Sequence, residues 1–105
     1  MDRLVSIIVR RRDRRCVTCG GARGLQCSHF YSRRYLRTRF DLRNCNAMCA
    51  GCNRRHNEDP GPYLRFMLGR YGEGVVGELD GLRRGRRKVT DEDLRGALEG
   101  LRSLA

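Results

Sequence analysis

Apolar positions along this chain change their spacing from block to block. Leu4, Val5, Ile8 and Val9 fall on one side of a helix, with arginines following them. Residues 1–15 therefore read as a short amphipathic helix, with a strand as the rival because Val and Ile are β-branched. Residues 16–24 form a Cys-x-x-Cys turn rich in glycine (Gly20, Gly21, Gly24). The spacing then shifts to period two over residues 25–30, a short strand that puts Leu25, Cys27 and His29 on one face. Residues 31–43 are a polar, arginine-rich connection. Residues 44–52 lead into a second Cys-x-x-Cys, and a short helix is expected from about Cys52 to Glu58.

Pro60-Gly61-Pro62 breaks the pattern. Beyond it the spacing is helical. Pro62 suits a first turn, and Leu64, Met67, Leu68 and Tyr71 fall on one face. Val75, Val76, Leu79 and Leu82 continue the pattern after Gly72. Residues 83–88 are a basic loop, either a phosphate contact or a solvated connection. Thr90 is placed as an N-cap, with Asp91, Glu92 and Asp93 in the first turn where they favour the helix dipole. Leu94, Ala97, Leu98 and Leu101 form the buried stripe of a last helix, a core face or a dimer seam.

At 105 residues the chain is expected to be a single domain with a thin core that needs a staple. Charge sharpens the reading: 23 Lys and Arg stand against 12 Asp and Glu, a formal net charge of +11. All the basic residues but Lys88 are arginine, whose planar fork matches phosphate oxygens and stacks on bases. A nucleic-acid partner follows. No apolar run is long enough to span a bilayer, so no membrane partner is expected. Arg10, Arg11 and Arg12 interrupt the N-terminal stretch and argue against a signal peptide. A cytoplasmic chain, in a host cell if phage-encoded, keeps its thiols reduced, so paired cysteines point to metal before disulfides.

Cys16-x-x-Cys19 and Cys49-x-x-Cys52 stand 29 residues apart. Each pair can clasp one side of a tetrahedral zinc, and four thiolates make a closed, structural site. Cys27 reads as a core residue of its strand, and Cys45 as a core residue or a spare beside the site. Neither is assigned to metal.

The two histidines, His29 and His56, suggest chemistry. Phosphodiester hydrolysis needs a water activated near neutral pH, which an imidazole can do, and a divalent cation to stabilise charge on the phosphate. Mg²⁺ or Mn²⁺ takes oxygen ligands, including an Asn amide. The imidazole needs an acceptor on its other nitrogen, which the Asn44 side chain is expected to supply. His56 is a metal ligand, a phosphate contact or a solvated helix residue. Arg33, Arg34, Arg37, Arg39 and Arg43, interleaved with Tyr31, Tyr35 and Phe40, read as a DNA-binding face more than as a solvated charge run. Arg54 and Arg55 are candidates for the scissile phosphate.

The order Cys-x-x-Cys, His, Asn, Cys-x-x-Cys-Asn resembles the zinc-containing HNH or His-Me finger endonucleases, among them phage endonuclease VII-type junction resolvases. A closer resemblance is to the phage-lambda NinG (Rap) recombination-protein family. It is carried by Cys16-Val-Thr-Cys19-Gly, by Ser28-His29-Phe30-Tyr31-Ser32-Arg33-Arg34, by Arg43-Asn44 and by Cys49-Ala-Gly-Cys52-Asn53-Arg54. It covers roughly residues 4–100, and the stretch from Tyr71-Gly72 to Leu79 looks family-like. The resemblance implies an α+β fold: a zinc-stapled ββα core over 16–59, with a helix before it and a helical part over 61–105. It also implies a metal-dependent endonuclease that nicks branched DNA such as Holliday junctions, leaving a 3′-hydroxyl and a 5′-phosphate. His29 would be the general base, Asn44 would position it, and Asn53 would bind the catalytic metal. Resolvases of this kind often cut as homodimers. Ser28 departs from the pattern, since many HNH sites carry a metal ligand just before the base. The rest of the shell is therefore open among His56, Asn57, Glu58, Asp41 and water. A non-catalytic zinc-ribbon DNA-binding protein is the rival reading.

Overall fold

A computed structural model describes residues 1–85 and 88–104. Its elements are helix Asp2–Asp13 (α1), strand Gln26–His29 (β1), the one-turn helix Leu36–Arg39 (α2), strand Cys45–Met48 (β2), and helices Ala50–Glu58 (α3), Gly61–Arg83 (α4) and Asp91–Leu104 (α5). The fold is α+β. β1 and β2 pair antiparallel, with Gln26 opposite Met48, Cys27 opposite Ala47, Ser28 opposite Asn46 and His29 opposite Cys45. Among the described residues no helix is long and apolar enough to cross a membrane.

The hairpin separates two apolar clusters. On one side α1 lays Val5 and Val9, both buried, against Cys45 and Ala47 of β2, and Leu101 of α5 closes the cluster. The i, i+4 spacing of the two valines decides between helix and strand for residues 1–15. On the other side Met48 meets Cys16 of the first cysteine turn and Tyr63, Met67 and Leu79 of α4. Alternation along each strand assigns the residues to these sides.

Asp13 ties the two sides together. Its carboxylate accepts from Arg12, from the backbone N–H of Ala47 at 2.8 Å and from Arg70 of α4 at 2.9 Å. Burial opposes its charge, but these donors win and hold its pKa below the ordinary 3.8. Helix α1, the hairpin and α4 thus meet at one carboxylate that nothing in the hydrophobic pattern reveals.

Three expectations need correction. The connection 31–43 contains α2, too short for any period to show. Helix α3 starts at Ala50 rather than near Cys52. Helix α4 does not bury the face expected for its first half: Tyr63 and Met67 are buried, while Leu64 and Leu68 are 36% and 37% exposed. Tyr63 is drawn inward by hydrogen bonds, donating to the Ser28 carbonyl at 2.8 Å and accepting from Asn46 Nδ2 at 3.1 Å. The helical pattern continues past Gly72 as expected, but α4 breaks there, with φ 84° and ψ 167°, a conformation that suits glycine. The expected cap of α5 forms as a reciprocal pair. The Asp93 N–H donates to Thr90 Oγ1 at 3.1 Å, and the Thr90 N–H donates to Asp93 Oδ2 at 3.0 Å. Of the basic run 83–88, Arg83 ends α4, while Arg86 and Arg87 lie outside the described residues.

Candidate functional site

The two cysteine turns close on each other. The Sγ atoms of Cys16, Cys19, Cys49 and Cys52 all lie within 4.8 Å of one another. Cys19 and Cys49 stand 3.8 Å apart, matching the edge of a tetrahedron with Zn–S of about 2.3 Å, which is about 3.8 Å. The first turn is shaped by backbone bonds. Gly20 N–H donates to the Cys16 carbonyl at 2.8 Å, and Cys16 N–H to the Gly21 carbonyl at 2.7 Å. Gly20 holds φ +78°, and the Gly21 N–H points at Cys19 Sγ at 3.4 Å. The second turn leads straight into α3, with Cys49 as its N-cap residue.

The local polarity favours thiolate. Burial pushes the Cys16 thiol up, but the Thr18 hydroxyl and nearby backbone N–H groups stabilise the anion and bring it down to about 6. Backbone N–H and thiol donation from Cys52 lower Cys49 in the same way. At Cys52 the Thr18 hydroxyl lowers the pKa, yet burial and the neighbouring thiols push it up to about 12. A bound cation removes that last proton. Donor type, spacing and polarity fit a structural zinc, which this tetrad could hold.

His29 ends β1 on the side facing α1. Its Nε2 meets the carbonyl of Arg39, ten residues on, at 2.9 Å. A carbonyl oxygen carries no proton, so Nε2 must donate and Nδ1 keeps its lone pair. Burial lowers the imidazole's pKa below 6.5, partly opposed by that hydrogen bond. The ring is therefore neutral at pH 7. It opens onto a shallow depression shared with Asp2, Arg3 and Arg10 of α1 and with Arg33. Sequence reasoning missed Arg3 and Arg10 because they belong to a helix remote in sequence. Only their place beside α1's buried stripe could have suggested them.

Asn44 does not position His29 through its side chain as expected. It is fully buried, its Oδ1 accepts from the Tyr31 N–H at 2.8 Å, and its Nδ2 donates to the carbonyls of Tyr31 and Thr38 at 3.0 and 3.2 Å. It clamps the loop that carries the Arg39 carbonyl, so it reaches His29 only through the backbone.

Asn53 and His56 lie on the other side of the hairpin. Asn53 Nδ2 donates to Gln26 Oε1 at 3.0 Å. His56 Nε2 donates to the Phe30 carbonyl at 2.9 Å, and its ring packs against Phe30 and Tyr63. Its Nδ1 is buried without a partner. Among the described residues, the groups of three or more His, Cys, Asp or Glu side chains close enough to hold an ion are the tetrad and Cys27, His29 and Cys45. Neither contains His56, Glu58 or Asp41.

Several arginines of the expected DNA-binding face are paired within the chain. Arg39 and Arg33 both bind Asp2. Arg43 binds Asp41 at 2.8 Å and Glu78 at 2.9 Å. Arg34 lies over the Tyr35 ring at 4.7 Å, and Arg83 over the Tyr31 ring at 4.5 Å. Arg37 is half-buried in α2. Arg54 and Arg55 project from α3 as exposed side chains. Comparison with protein-family models, with curated proteins and with solved structures finds no match for the chain in any of the three.

Proposed function

We propose that this protein is a DNA endonuclease of the HNH type, with His29 as its general base. One observation carries the reading. A neutral imidazole, fixed through Nε2 on the Arg39 carbonyl, lines an opening that it shares with Asp2, Arg3, Arg10 and Arg33. That is the arrangement a base needs: one tautomer, one orientation, and a pKa low enough to leave the lone pair free at neutral pH. The net charge of +11 supports a polyanionic partner, and the zinc clasp supports the hairpin that carries the base.

In the proposed reaction His29 Nδ1 takes a proton from water as its oxygen bonds to phosphorus. The P–O3′ bond breaks, and the leaving 3′ oxygen takes a proton from a solvent water to give a 3′-hydroxyl opposite a 5′-phosphate. The arginines offset charge on the phosphate. The likeness to NinG-type proteins extends the proposal to branched substrates and to a homodimer that cuts both arms of a junction.

Nicking of a four-way junction and of the matching linear duplex, with Mg²⁺, Mn²⁺ or EDTA, tests this reading. His29→Ala is expected to lose about 10²- to 10⁴-fold in rate while keeping salt-dependent DNA binding. Full-rate nicking by that variant would sink the assignment, and equal rates on both substrates would remove the branch preference. A second reading, a DNA-binding zinc module without catalysis, is favoured by the cysteine tetrad and the net charge, which need no base. It predicts the same binding with no nicking in any metal.

A further inference from the structure

Cys27 and Cys45, used by neither the cysteine tetrad nor the base assignment, form a second cluster with His29. Two thiol sulfurs and an imidazole nitrogen lie within 4.8 Å of one another. The hairpin register creates the group. Cys27 and His29 share a face two residues apart, and Cys45 stands directly opposite His29. Cys45 is fully buried, and its Sγ points at the Arg39 carbonyl at 3.4 Å, the same oxygen that holds His29 Nε2. The depression in front of Cys27 and His29 leaves the fourth direction open to solvent.

We propose that Cys27, His29 and Cys45 form a second, open zinc site whose occupation switches off the base. The donor chemistry is selective. Two thiolates and an imidazole suit Zn²⁺ and do not suit Mg²⁺. Two thiolates also cancel the charge of one Zn²⁺, so the buried Cys45 joins a neutral assembly rather than an isolated anion. The Arg39 carbonyl supplies the outer contact that a ligating histidine commonly makes through its other ring nitrogen. A neutral imidazole has a single lone pair, which ligating zinc and acting as base would each require. One lone pair cannot do both. The inhibitory role rests on the endonuclease reading, whereas the metal site does not.

Metal stoichiometry tests the site on the full chain. Zinc-free protein is refolded with excess Zn²⁺, desalted, and titrated with a colorimetric chelator while released zinc is counted. Two equivalents are expected, the second released more readily because its site has three protein ligands. Cys27→Ser and Cys45→Ala are each expected to lose the second equivalent and keep the first. Two variants are used because Cys45 is a core residue, whereas Cys27 is only half-buried. With Co²⁺ in place of Zn²⁺, the Cys27→Ser variant should show a weaker thiolate-to-metal absorption per chain. One equivalent in the wild type, or two retained in Cys27→Ser, would overturn the site. In a nicking assay with Mg²⁺, the second zinc equivalent should abolish wild-type activity and have no such effect on Cys27→Ser. If the wild type nicks at full rate with both equivalents bound, the switch is wrong and the site stands. If it never nicks, the enzyme reading and the switch fall together, and the zinc count still decides the site.

Discussion

His29 and His56 each direct Nε2 to a backbone carbonyl at 2.9 Å, Arg39 in one case and Phe30 in the other, yet they stand on opposite sides of one hairpin. His56 packs against Phe30 and Tyr63 and lines a pocket with Cys19, Cys52 and Arg55, yet its Nδ1 is buried with nothing to meet. His29 lines a depression that it shares with Asp2, Arg3, Arg10 and Arg33. The His56 side holds more polar groups: Ser28, Asn46 and the Tyr63 hydroxyl are all buried there. Asn46 and Tyr63 bond to each other, which makes them structural, while Ser28 Oγ has no partner. The α1 side is lined by Val5, Val9 and Ala47, so its one imidazole and two thiols are conspicuous. Polarity alone does not mark a site in this fold. What distinguishes His29 is its place beside two thiols and among the arginines of α1 and Arg33.

Both sides depend on the cysteine clasp, so its removal carries the largest expected effect. Structural zinc contributes roughly 10–16 kcal/mol in zinc-finger peptides, as much as or more than the whole stability of a small domain, roughly 5–15 kcal/mol. Cys49→Ser, or metal stripped by a strong chelator, should abolish the cooperative thermal transition followed by circular dichroism. An unchanged melting curve after chelation would mean that the hairpin holds without metal, and the tetrad would lose its structural role.

The His56 side offers a smaller and cleaner perturbation. Tyr63→Phe removes one hydroxyl, so the Ser28 carbonyl loses its donor and Asn46 Nδ2 keeps only its longer contacts to the Arg43 carbonyl and Met67 Sδ, both at 3.4 Å. Orphaning a buried polar group costs about 1–3 kcal/mol, read as a fall in the denaturant midpoint at constant slope. Nicking by the folded variant should stay near the wild-type rate, because the bonds it loses lie across the hairpin from His29. A selective loss of nicking with unchanged stability would instead put Tyr63 in the reacting site.

Much of the scaffold was legible in the sequence because it rests on local rules. The valine spacing of α1, the period-two strand ending at His29 and the Thr90 cap each follow from neighbouring residues. The second strand was not placed, because all four residues Cys45–Met48 are buried and no alternation of polar with apolar survives. The face of α4 was misread because a hydrogen-bonded tyrosine displaced two leucines. At the site, the cysteine spacing exposed the tetrad directly. Cys27 and His29 were seen to share a face, but Cys45 joins them only through the hairpin register, which lies outside the sequence pattern. The role expected for the Asn44 side chain went instead to a backbone carbonyl, a donor-neutral group common to every residue.

The smallest expected effect is on pH dependence, and it tests His29. Burial depresses the pKa of His29 below 6.5, so the fold prefers the neutral ring. Above pH 6.5 the ring is neutral in both folded and unfolded chains, and this contribution is fully present. As pH falls below that value the unfolded chain binds the proton first, so stability drops until the folded ring also protonates. Thiolate protonation at the zinc clasp destabilises the protein over an overlapping range, so the comparison must be differential. Wild type and His29→Gln, melted from pH 8 to pH 5, should lose stability in parallel except for an additional loss in the wild type below pH 6.5. The glutamine amide cannot titrate there. In the nicking assay the same depression keeps His29 available as a base to mildly acidic pH, with the acid limb of the rate profile falling below 6.5. Identical pH profiles of stability for the two proteins would mean that the ring is solvated in both states, and the assignment of His29 as a neutral, buried base would lose its physical basis.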